Sequence, residues 1–292
     1  MRAVEALPPL REVIAEAGLG ARKGLGQHFL LDLNLTRRIA RAADVPRGMP
    51  VIEIGPGPGG LTRALLLETD GPVLAIEKDP RCLPVLTALA EAAEGRVRLL
   101  EADALAVDET LALAESGMAI GDGAGRAALV ANLPYNVGTP LLLKWLKAEP
   151  WPPWWASLTV MVQKEVALRL CAAPGTSDYG RLSVITAVRA KAVRLFDVPP
   201  RAFTPPPKVM SSIVRLTPRA EAPSGARLGA LERVTAAAFG QRRKMLRSSL
   251  RAVFPEPEPV LARTGIPPQE RAERVDPAGF LALAACLLPG DG

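Results

Sequence analysis

The sequence predicts an α/β protein, with an open, mostly parallel sheet followed by a small all-helical domain at the C-terminus. Two observations support this fold class. From about residue 49 to residue 216, short apolar runs of strand type alternate with longer helical patterns, and such alternation is typical of a sheet with helices on both faces. After a linker at 217–226 only helical patterns remain. We therefore predict a first domain over 1–220, whose segment 1–48 caps a ligand site, and a helical domain over 221–292.

The strand-type runs and the helical patterns can be placed one by one along the chain. The strand-type runs are PVIEIG (50–55), VLAIE (73–77), VRLLEAD (97–103), ALVAN (128–132), SLTVMVQ (157–163), AVRLFDV (192–198) and SSIVRL (211–216). The helical patterns include LTRALLLE, RCLPVLTALAEA and TPLLLKWLK. The last two runs are joined by a segment too short and too rich in proline for a crossover helix, so we expect antiparallel neighbours at the sheet edge. The Gly-rich stretch 116–125 is expected to form a surface loop.

Composition narrows the class of protein. No segment of the 292 residues approaches the roughly 20 uninterrupted apolar residues of a membrane span, so we expect a soluble, cytoplasmic protein with no membrane partner. Cys82, Cys171 and Cys286 are far apart and His28 is the single histidine, which supports neither a disulfide framework nor a metal site. The net charge of +6 suits a polyanionic partner.

A glycine loop, GPGPGG at 55–60, links the first of these strands to a helix. It fits the dinucleotide pattern G-x-G-x-x-G, and Glu77 ends the next strand, where a ribose would be held. A pyrophosphate needs several backbone N–H donors, however, and Pro56 and Pro58 remove two of them. A ligand without phosphate fits better, and S-adenosylmethionine offers Glu77 a ribose diol. Asp103, on the same rim, is expected to face the adenine amino group. The alternative for the glycine loop is a tight turn that binds no ligand, and the alternative for Asp103 is an ordinary turn residue.

Asn132 ends the fourth strand-type run, at the same rim, and is followed by Leu133, Pro134 and Tyr135. The exocyclic amine of adenine becomes nucleophilic when fixed acceptors draw its two N–H bonds out of the ring plane. The side-chain oxygen of Asn132 and the carbonyl of Leu133, which is extended before a proline, can supply these acceptors. Pro134 stiffens the turn, and Tyr135 offers a flat face for the base. Such a site needs no strong base; a capped turn with a packed tyrosine is the alternative.

Together these segments resemble the ribosomal RNA adenine dimethyltransferases of the KsgA type, a family of class I methyltransferases. The resemblance covers nearly the whole chain and rests on GLGQHFLLD (24–32), EIGPGPGGLT (53–62), Glu77, Asp103, NLPYN (132–136), FTPPPKVMSSIVRL (203–216) and FGQRRKMLRSSL (239–250). It implies an S-adenosylmethionine-dependent enzyme that dimethylates N6 of two adjacent adenines in the 3′-terminal hairpin of small-subunit rRNA, with a role in subunit biogenesis. The implied partner is that rRNA or a pre-assembled small subunit, and we expect a monomer.

The resemblance also implies roles for individual residues. The implied cofactor contacts are His28, Leu30, Gly55, Glu77, Asp103 and Asn132. The family commonly has Asn where this sequence has His28, and an imidazole can replace an amide as a hydrogen-bond partner. Phe203 is implied as the second face of a base sandwich with Tyr135, the alternative being a core anchor.

A basic cluster marks the predicted helical domain. Its members are Arg242, Arg243, Lys244, Arg247 and Arg251. Charges three and four apart share one face of a helix, and no acid between residues 240 and 253 balances them, which favours contact with RNA phosphates. A solvated helix face is the alternative.

Three other functions remain open at this point. A relative that methylates large-subunit rRNA and confers macrolide resistance has the same fold. A non-catalytic ribosome-assembly, RNA-binding or transcription factor is disfavoured by the intact turn 132–135, and a nicotinamide oxidoreductase is disfavoured by Pro56 and Pro58. Cofactor titration and mapping of methylated nucleotides separate these functions.

Overall fold

A computed structural model describes residues 2–118 and 126–288 of the protein. Most of the predicted Gly-rich loop, residues 119–125, lies outside the described residues. The strands are β1 Phe29–Leu30, β2 Val51–Ile54, β3 Val73–Glu77, β4 Val97–Glu101, β5 Ala127–Asn132, β6 Trp155–Gln163, β7 Ala190–Val198, β8 Phe203–Thr204 and β9 Ser211–Pro218. The helices are α1 Arg2–Glu5, α2 Leu10–Glu16, α3 Leu33–Ala42, α4 Gly60–Glu68, α5 Leu83–Ala92, α6 Glu109–Glu115, α7 Gly138–Leu146, α8 Lys164–Cys171, α9 Arg181–Arg189, α10 Gly225–Gly240, α11 Leu246–Ser249, α12 Pro257–Arg263 and α13 Pro277–Ala285. No helix in the described part of the chain has both the length and the apolar character that a membrane crossing needs.

Seven strands form one mixed sheet in the order β4-β3-β2-β5-β6-β9-β7. Strands β2 to β6 run parallel to their neighbours among themselves, and β9 is antiparallel to β6. The predicted α/β fold with a mostly parallel sheet is confirmed, and the last two predicted runs are neighbours, with β7 at the edge. Because β3 and β5 lie on opposite sides of β2, the strand order reverses there. Open sheets of this kind bind ligands beyond the carboxyl ends of such strands.

The central strands are buried along their whole length, which is why they read as continuous apolar runs in the sequence. Every residue of β2 and β3 is buried. Val51, Val73 and Val130 belong to one hydrophobic cluster together with Leu65 of α4. Two residues of β2 and β3 depart from this apolar pattern, because Glu53 and Glu77 carry carboxyl groups yet are only 1% and 6% exposed.

A second, two-stranded sheet is not predicted by the sequence. Strand β1 pairs antiparallel with β8, with Phe29 opposite Thr204 and Leu30 opposite Phe203. Leu30 and Phe203 are buried in the main hydrophobic cluster. The pairing therefore brings residue 28 close to the loop that follows Thr204.

The chain divides into two compact units. The first consists of Met1–Trp145, Pro153–Lys164 and Val193–Thr217, and the second of Leu146–Pro152, Glu165–Ala192 and Pro218–Gly292. The predicted single boundary near residue 220 differs from this division. The reason is that α9, which precedes the last two strands of the main sheet, packs against α10 and α13 in the second unit.

The second unit is built around α10 and α13, in the part of the chain where the sequence shows only helical patterns. Asp276 is the N-cap of α13 and accepts from the N–H of Gly279 at 2.7 Å, and Pro277 is the first residue of the helix. Phe239 packs against Phe280 with ring centroids 5.5 Å apart. These contacts give the unit an apolar centre of its own.

Candidate active site

The glycine loop turns sharply between β2 and α4. Gly55, Gly57 and Gly59 have φ angles of 65°, 54° and 87°, a region that glycine enters without steric cost. Their N–H groups donate within the protein, to Ile76 O at 2.9 Å, Glu77 Oε2 at 2.8 Å and Pro56 O at 3.0 Å respectively. Since residues 56 and 58 are prolines, residues 55–59 offer no free N–H to a pyrophosphate. The loop therefore fits a ligand that has no phosphate at this turn.

A pocket lies next to this loop, beyond the carboxyl ends of β2, β3 and β5. It is lined by the six predicted cofactor contacts and by the predicted catalytic turn, namely His28, Leu30, Gly55, Glu77, Asp103, Asn132, Leu133, Pro134 and Tyr135. Residues 24–30 of the N-terminal segment line it together. The structure thus gathers at one pocket residues from segments that are far apart in the chain.

Glu77, at the end of β3, is held by two backbone donors. Its Oε2 accepts from the N–H of Gly57 and its Oε1 from the N–H of Asp79, both at 2.8 Å. Burial raises the pKa of Glu77, and these two hydrogen bonds oppose the rise. Each carboxylate oxygen keeps a second lone pair, so the side chain can still accept from two hydroxyl groups of a ribose.

Asp103 lies two residues beyond β4 and is engaged by two donors of the protein. Its Oδ2 is 2.5 Å from Nζ of Lys78, and its Oδ1 accepts from the N–H of Leu105 at 3.0 Å. The ammonium group of Lys78 lowers the pKa of Asp103, so the carboxylate is ionised at neutral pH. The hydrogen bond from the N–H of Leu105 shows that Asp103 also acts as a turn residue, which is the alternative that the sequence offers. The contact of Asp103 with adenine stays a prediction.

The turn after β5 holds two acceptors to which no described residue donates. Nδ2 of Asn132 donates to the carbonyl of His28 at 3.0 Å, and the N–H of Leu133 donates to a carbonyl of β6 at 3.2 Å. Among the described residues, neither Oδ1 of Asn132 nor the carbonyl of Leu133 accepts a hydrogen bond. The carbonyl of Pro134 accepts from the N–H of Gly138 at 2.9 Å, which ties the turn to α7. Both acceptors predicted for an amine therefore lie unpaired on a well-supported turn.

Tyr135 and His28 form an aromatic wall of the pocket. The hydroxyl of Tyr135 is 2.6 Å from Oγ of Ser211, and its ring centroid lies 5.4 Å from that of the His28 imidazole. Nδ1 of His28 lies 2.7 Å from the carbonyl of Pro205. Because a carbonyl can only accept, Nδ1 carries the hydrogen. The sequence predicts only a cofactor contact for His28. In the structure the pairing of β1 with β8 places His28 beside Tyr135 as well, at the predicted site of the target base.

Phe203, which the resemblance implies as a second stacking face, is packed in the core of this structure. Phe203 is 3% exposed, belongs to the main hydrophobic cluster and does not line the pocket. Its pairing with Leu30 across the two-stranded sheet draws the side chain into the core. This burial favours the core-anchor alternative, and the stacking role of Phe203 stays a prediction. The ring centroid of Phe203 lies 6.3 Å from that of the His28 imidazole.

A polar network that sequence reasoning misses holds the N-terminal segment at the rim. Asp79 is buried and accepts from Nη2 of Arg81 at 2.6 Å and from Nε2 of Gln27 at 2.9 Å. Hydrogen bonding from Arg81 lowers the pKa of Asp79 to about 2. Arg81 also donates to the carbonyl of Gly20 at 3.1 Å. Because the N–H of Asp79 donates to Glu77, the network connects the N-terminal segment to the predicted ribose site. Gln27 and Asp79 are 52 residues apart, and no local pattern signals their contact.

The basic cluster of the second unit does not lie on one helix face, contrary to prediction. Helix α10 ends at Gly240, the next residues form turns, Arg247 lies in the four-residue α11, and Arg251 lies in a single 3-10 turn. The buried side chains of Leu246 and Leu250 and an isolated β-bridge at Met245 hold this geometry. The basic residues are three and four apart in the sequence, but the backbone that carries them is not one helix, so this spacing does not place them on a common helix face.

Arg242 also differs from the other members of the basic cluster. Its Nε lies 3.1 Å from Oε2 of Glu273, and its Nη2 donates to the carbonyl of Ser177 at 2.7 Å. Arg242 is therefore paired with an acid, Glu273, that is remote in the sequence, although no acid lies between residues 240 and 253. The other members are exposed and form no salt bridge within the described part of the chain: Arg243, Lys244, Arg247 and Arg251.

Comparison with known proteins finds similarity over nearly the whole chain. Residues 18–287 match the family described as "Ribosomal RNA adenine dimethylase". Two similar proteins carry the name "Ribosomal RNA small subunit methyltransferase A". The one from Phenylobacterium zucineum is 59% identical over 98% of this chain and 94% of its own length. The one from Azorhizobium caulinodans is 56% identical over 97% of this chain and 94% of its own length.

Two solved structures are similar to this one. The 23S rRNA methyltransferase ErmE is 29% identical and has a TM-score of 0.63, with 89% of this chain and 99% of that chain covered. A dimethyladenosine transferase from Plasmodium falciparum has a TM-score of 0.71 over 88% of this chain and 96% of that chain, at 24% identity. The second likeness concerns the fold alone. Both agree with the predicted class I methyltransferase fold.

Proposed function

The chain belongs to the ribosomal RNA adenine dimethylase family, and from this premise we propose that it dimethylates N6 of two adjacent adenines in the 3′-terminal hairpin of small-subunit rRNA. The methyl donor is S-adenosylmethionine. The enzyme acts as a cytoplasmic monomer in small-subunit biogenesis, on the rRNA or on a pre-assembled subunit.

The observation that carries this proposal is the turn after β5, with its two unpaired acceptors beside the glycine-loop pocket. When bound, S-adenosylmethionine supplies a methyl group on a sulfonium sulfur, which is already a good leaving group. The task left to the chain is to prepare the amine. Oδ1 of Asn132 and the carbonyl of Leu133 each accept one N–H of N6, which turns the nitrogen lone pair out of conjugation and aligns it for transfer. Tyr135 holds the base by stacking, worth roughly 1–3 kcal/mol.

The same arrangement allows a second transfer. Transfer leaves a positive charge on N6, and one of its two protons then passes to solvent, so that the first methyl group takes the place of one hydrogen. The other hydrogen is still held by the remaining acceptor. The nitrogen can present its lone pair again once a fresh cofactor is bound. Dimethyladenosine is therefore the expected end product.

The exposed members of the basic cluster, Arg243, Lys244, Arg247 and Arg251, are proposed to contact RNA phosphates. None of the four has an acidic partner in the part of the chain that the structure describes. This supports the role, because an unpaired exposed cation releases counterions from RNA without first breaking a salt bridge. Arg242 is also predicted to contact phosphate, but it is already bonded to Glu273. We therefore propose that Arg242 contributes less to RNA binding than the other four and mainly holds the turn that carries them.

One experiment separates this function from methylation of large-subunit rRNA. Both rRNAs are purified from a strain that lacks the gene, treated with the wild-type protein and S-adenosylmethionine, and mapped for N6-dimethyladenosine by nuclease protection and mass spectrometry. We expect two adjacent modified adenines in the small-subunit RNA or subunit. Modification confined to large-subunit RNA would overturn the proposed substrate, and absence of any modification would overturn the enzymatic function.

A further inference from the structure

A second cavity, of about 1030 Å³, lies in the first unit next to the active-site pocket. Its walls come from α1, α2, α3, α4 and the segment 199–204. It shares Leu30 and Gly60 with the active-site pocket, so the two adjoin each other. Small-molecule sites have volumes of roughly 300–1,000 Å³, so this cavity has room for one nucleotide unit.

A buried arginine at this cavity has no acidic partner. Arg63 of α4 is 8% exposed and lines the cavity. Its Nη1 donates to the carbonyl of Pro8 at 2.6 Å, whereas its buried Nε has no hydrogen-bond partner within the described residues. Burial lowers the pKa of the Arg63 guanidinium, and no carboxylate opposes this effect. Because buried charges are normally paired, this guanidinium indicates an anion from outside the chain.

Two other arginines with low exposure show how this protein ordinarily accommodates a guanidinium. Arg189, which is fully buried, donates to three backbone carbonyls, and its Nη2 lies 3.3 Å from Oε1 of Glu149. Arg96 donates to three backbone carbonyls between residues 66 and 71. Arg63 donates to a single carbonyl, so its Nη2 and Nε form no hydrogen bond with the part of the chain that the structure describes.

The mouth of the cavity combines cations with apolar surface. Arg11 and Arg201 are exposed, line the cavity and form no salt bridge among the described residues. Leu33, which is 42% exposed, lines the cavity as well. This combination suits a nucleotide, because the guanidinium groups can hold its phosphate while the apolar side can pack against its base.

Three acids also line the cavity, and they restrict the charge of the ligand. Asp32 caps α3 and accepts from two N–H groups at the start of that helix. Glu5 and Glu12 are exposed, and neither forms a salt bridge within the described ranges. With three acids in the same wall, a group that carries one negative charge fits better than a diphosphate or a triphosphate. A phosphodiester of RNA carries one negative charge.

We propose that this cavity binds one phosphodiester group of the substrate RNA, with Nη2 and Nε of Arg63 as the donors at its floor. These two nitrogens form one edge of the planar guanidinium, which matches two phosphate oxygens. The inference rests on the proposed function, because it takes RNA as the substrate. Thr204 in the cavity wall precedes Pro205, whose carbonyl is bonded to His28 beside the predicted base site. The phosphate therefore belongs to the strand that carries the target adenine, and this contact is separate from the basic cluster of the second unit.

The test is ethylation interference with the full-length protein. Small-subunit rRNA from a strain that lacks the gene is ethylated at random on its phosphates, and bound and free RNA are compared with wild type and with Arg63→Met. We expect interference at one phosphate near the target adenines to disappear in Arg63→Met, while the other positions stay as in wild type. Affinity for unmodified rRNA should fall about tenfold or more, with a salt slope shallower by about one unit.

Two further variants keep the test decisive if Arg63→Met folds poorly. Arg201→Ala changes an exposed residue at the mouth and should weaken interference at the same phosphate. Arg47→Ala removes an arginine whose side chain is 94% exposed and which lies outside the cavity, and it should keep the complete wild-type pattern. The double variant of Arg243 and Arg247 should lose interference at different phosphates.

A complete interference pattern in folded Arg63→Met and in Arg201→Ala would overturn this inference and leave the methyltransferase function standing. Protection of wild type but not of Arg63→Met against thermal unfolding by inorganic phosphate, with an unaltered interference pattern, would assign the cavity to a free anion and overturn the RNA contact. No binding of small-subunit rRNA by wild type would overturn this inference as well, while the mapping of methylated adenines tests the proposed function separately.

Discussion

Removing the carboxylate of Glu77 should weaken cofactor binding and, separately, loosen the glycine loop. In the structure its two oxygens hold the N–H groups of Gly57 and Asp79 at 2.8 Å, and their remaining lone pairs are proposed to accept two ribose hydroxyls. Hydrogen bonds to a charged acceptor contribute about 1.5–3 kcal/mol. Removal of the ribose acceptor in Glu77→Ala therefore lowers the affinity for S-adenosylhomocysteine by about 10- to 150-fold. The two orphaned N–H groups should also lower the free energy of unfolding, by about 1–3 kcal/mol each if they stay buried.

Calorimetry with S-adenosylhomocysteine and a thermal melt of the same sample separate these two effects. Glu77→Gln keeps one acceptor oxygen, so it should lose less affinity and less stability than the alanine variant. Glu101→Gln, which lies opposite Glu77 on β4 and is exposed, should match wild type in both measurements. Unaltered affinity in a folded Glu77→Ala protein would refute the role of this carboxylate. So would tight binding of a nicotinamide dinucleotide by the wild-type protein.

The basic cluster, the buried Glu53 and the aromatic wall each give a further prediction. Changing Arg243 and Arg247 together to Ala should weaken RNA binding. The slope of the logarithm of the binding constant against the logarithm of the salt concentration should become shallower by about one unit for each phosphate that the variant no longer neutralises, and an unaltered slope would place the docking surface elsewhere. Arg242→Ala should mainly lower the melting temperature. Burial raises the pKa of Glu53 from its ordinary value of 4.5 to about 8 in the folded protein. Between these pH values the folded protein therefore binds one proton more than the unfolded chain, and the free energy of unfolding falls by up to about 5 kcal/mol as the pH rises through this range. Glu53→Gln cannot ionise, so its free energy of unfolding relative to that of wild type should be higher at pH 9 than at pH 5, as measured by urea unfolding. The same difference between the two proteins at both pH values would contradict this. Tyr135→Phe should keep most of the initial methylation rate, while Tyr135→Ala should lose about 10- to 100-fold through the missing stacking face; equal rates in the two variants would contradict the stacking role.

Much of the sheet could be predicted because buried parallel strands leave a clear trace in the sequence. The strand-type runs 50–55 and 73–77 differ from β2 and β3 by at most one residue at either end. Since parallel strands align their carboxyl ends, polar residues that close such runs had to meet at one rim. This is why Glu77 and Asn132 could be placed beside the glycine loop from the sequence alone.

The features that the sequence does not predict depend on contacts between distant segments. The two-residue strands β1 and β8 are too short for any periodic pattern, so the burial of Phe203 and the placement of His28 beside Tyr135 had no local signal. The spacing of basic residues suggested a helix, but the buried Leu246 and Leu250 make the backbone turn instead. Glu53 lies in β2, just before the glycine loop, and no local pattern shows that its carboxyl group is buried. A local pattern reports periodicity and turn chemistry, and it does not report which remote side chain completes a hydrogen bond.

Nucleoside mass spectrometry of small-subunit rRNA treated with wild type and with Asn132→Ala tests the central claim most directly. The claim is that Oδ1 of Asn132 and the carbonyl of Leu133 hold the two N–H bonds of the target amine. Wild type should yield N6-dimethyladenosine as the final product. Asn132→Ala should lose nearly all transfer while its melting temperature and its affinity for rRNA stay close to wild type, because the missing acceptor aligns the amine in the transition state. A wild-type product that stops at monomethyladenosine, or a near-normal rate in Asn132→Ala, would show that the amide at the end of β5 does not hold the amine.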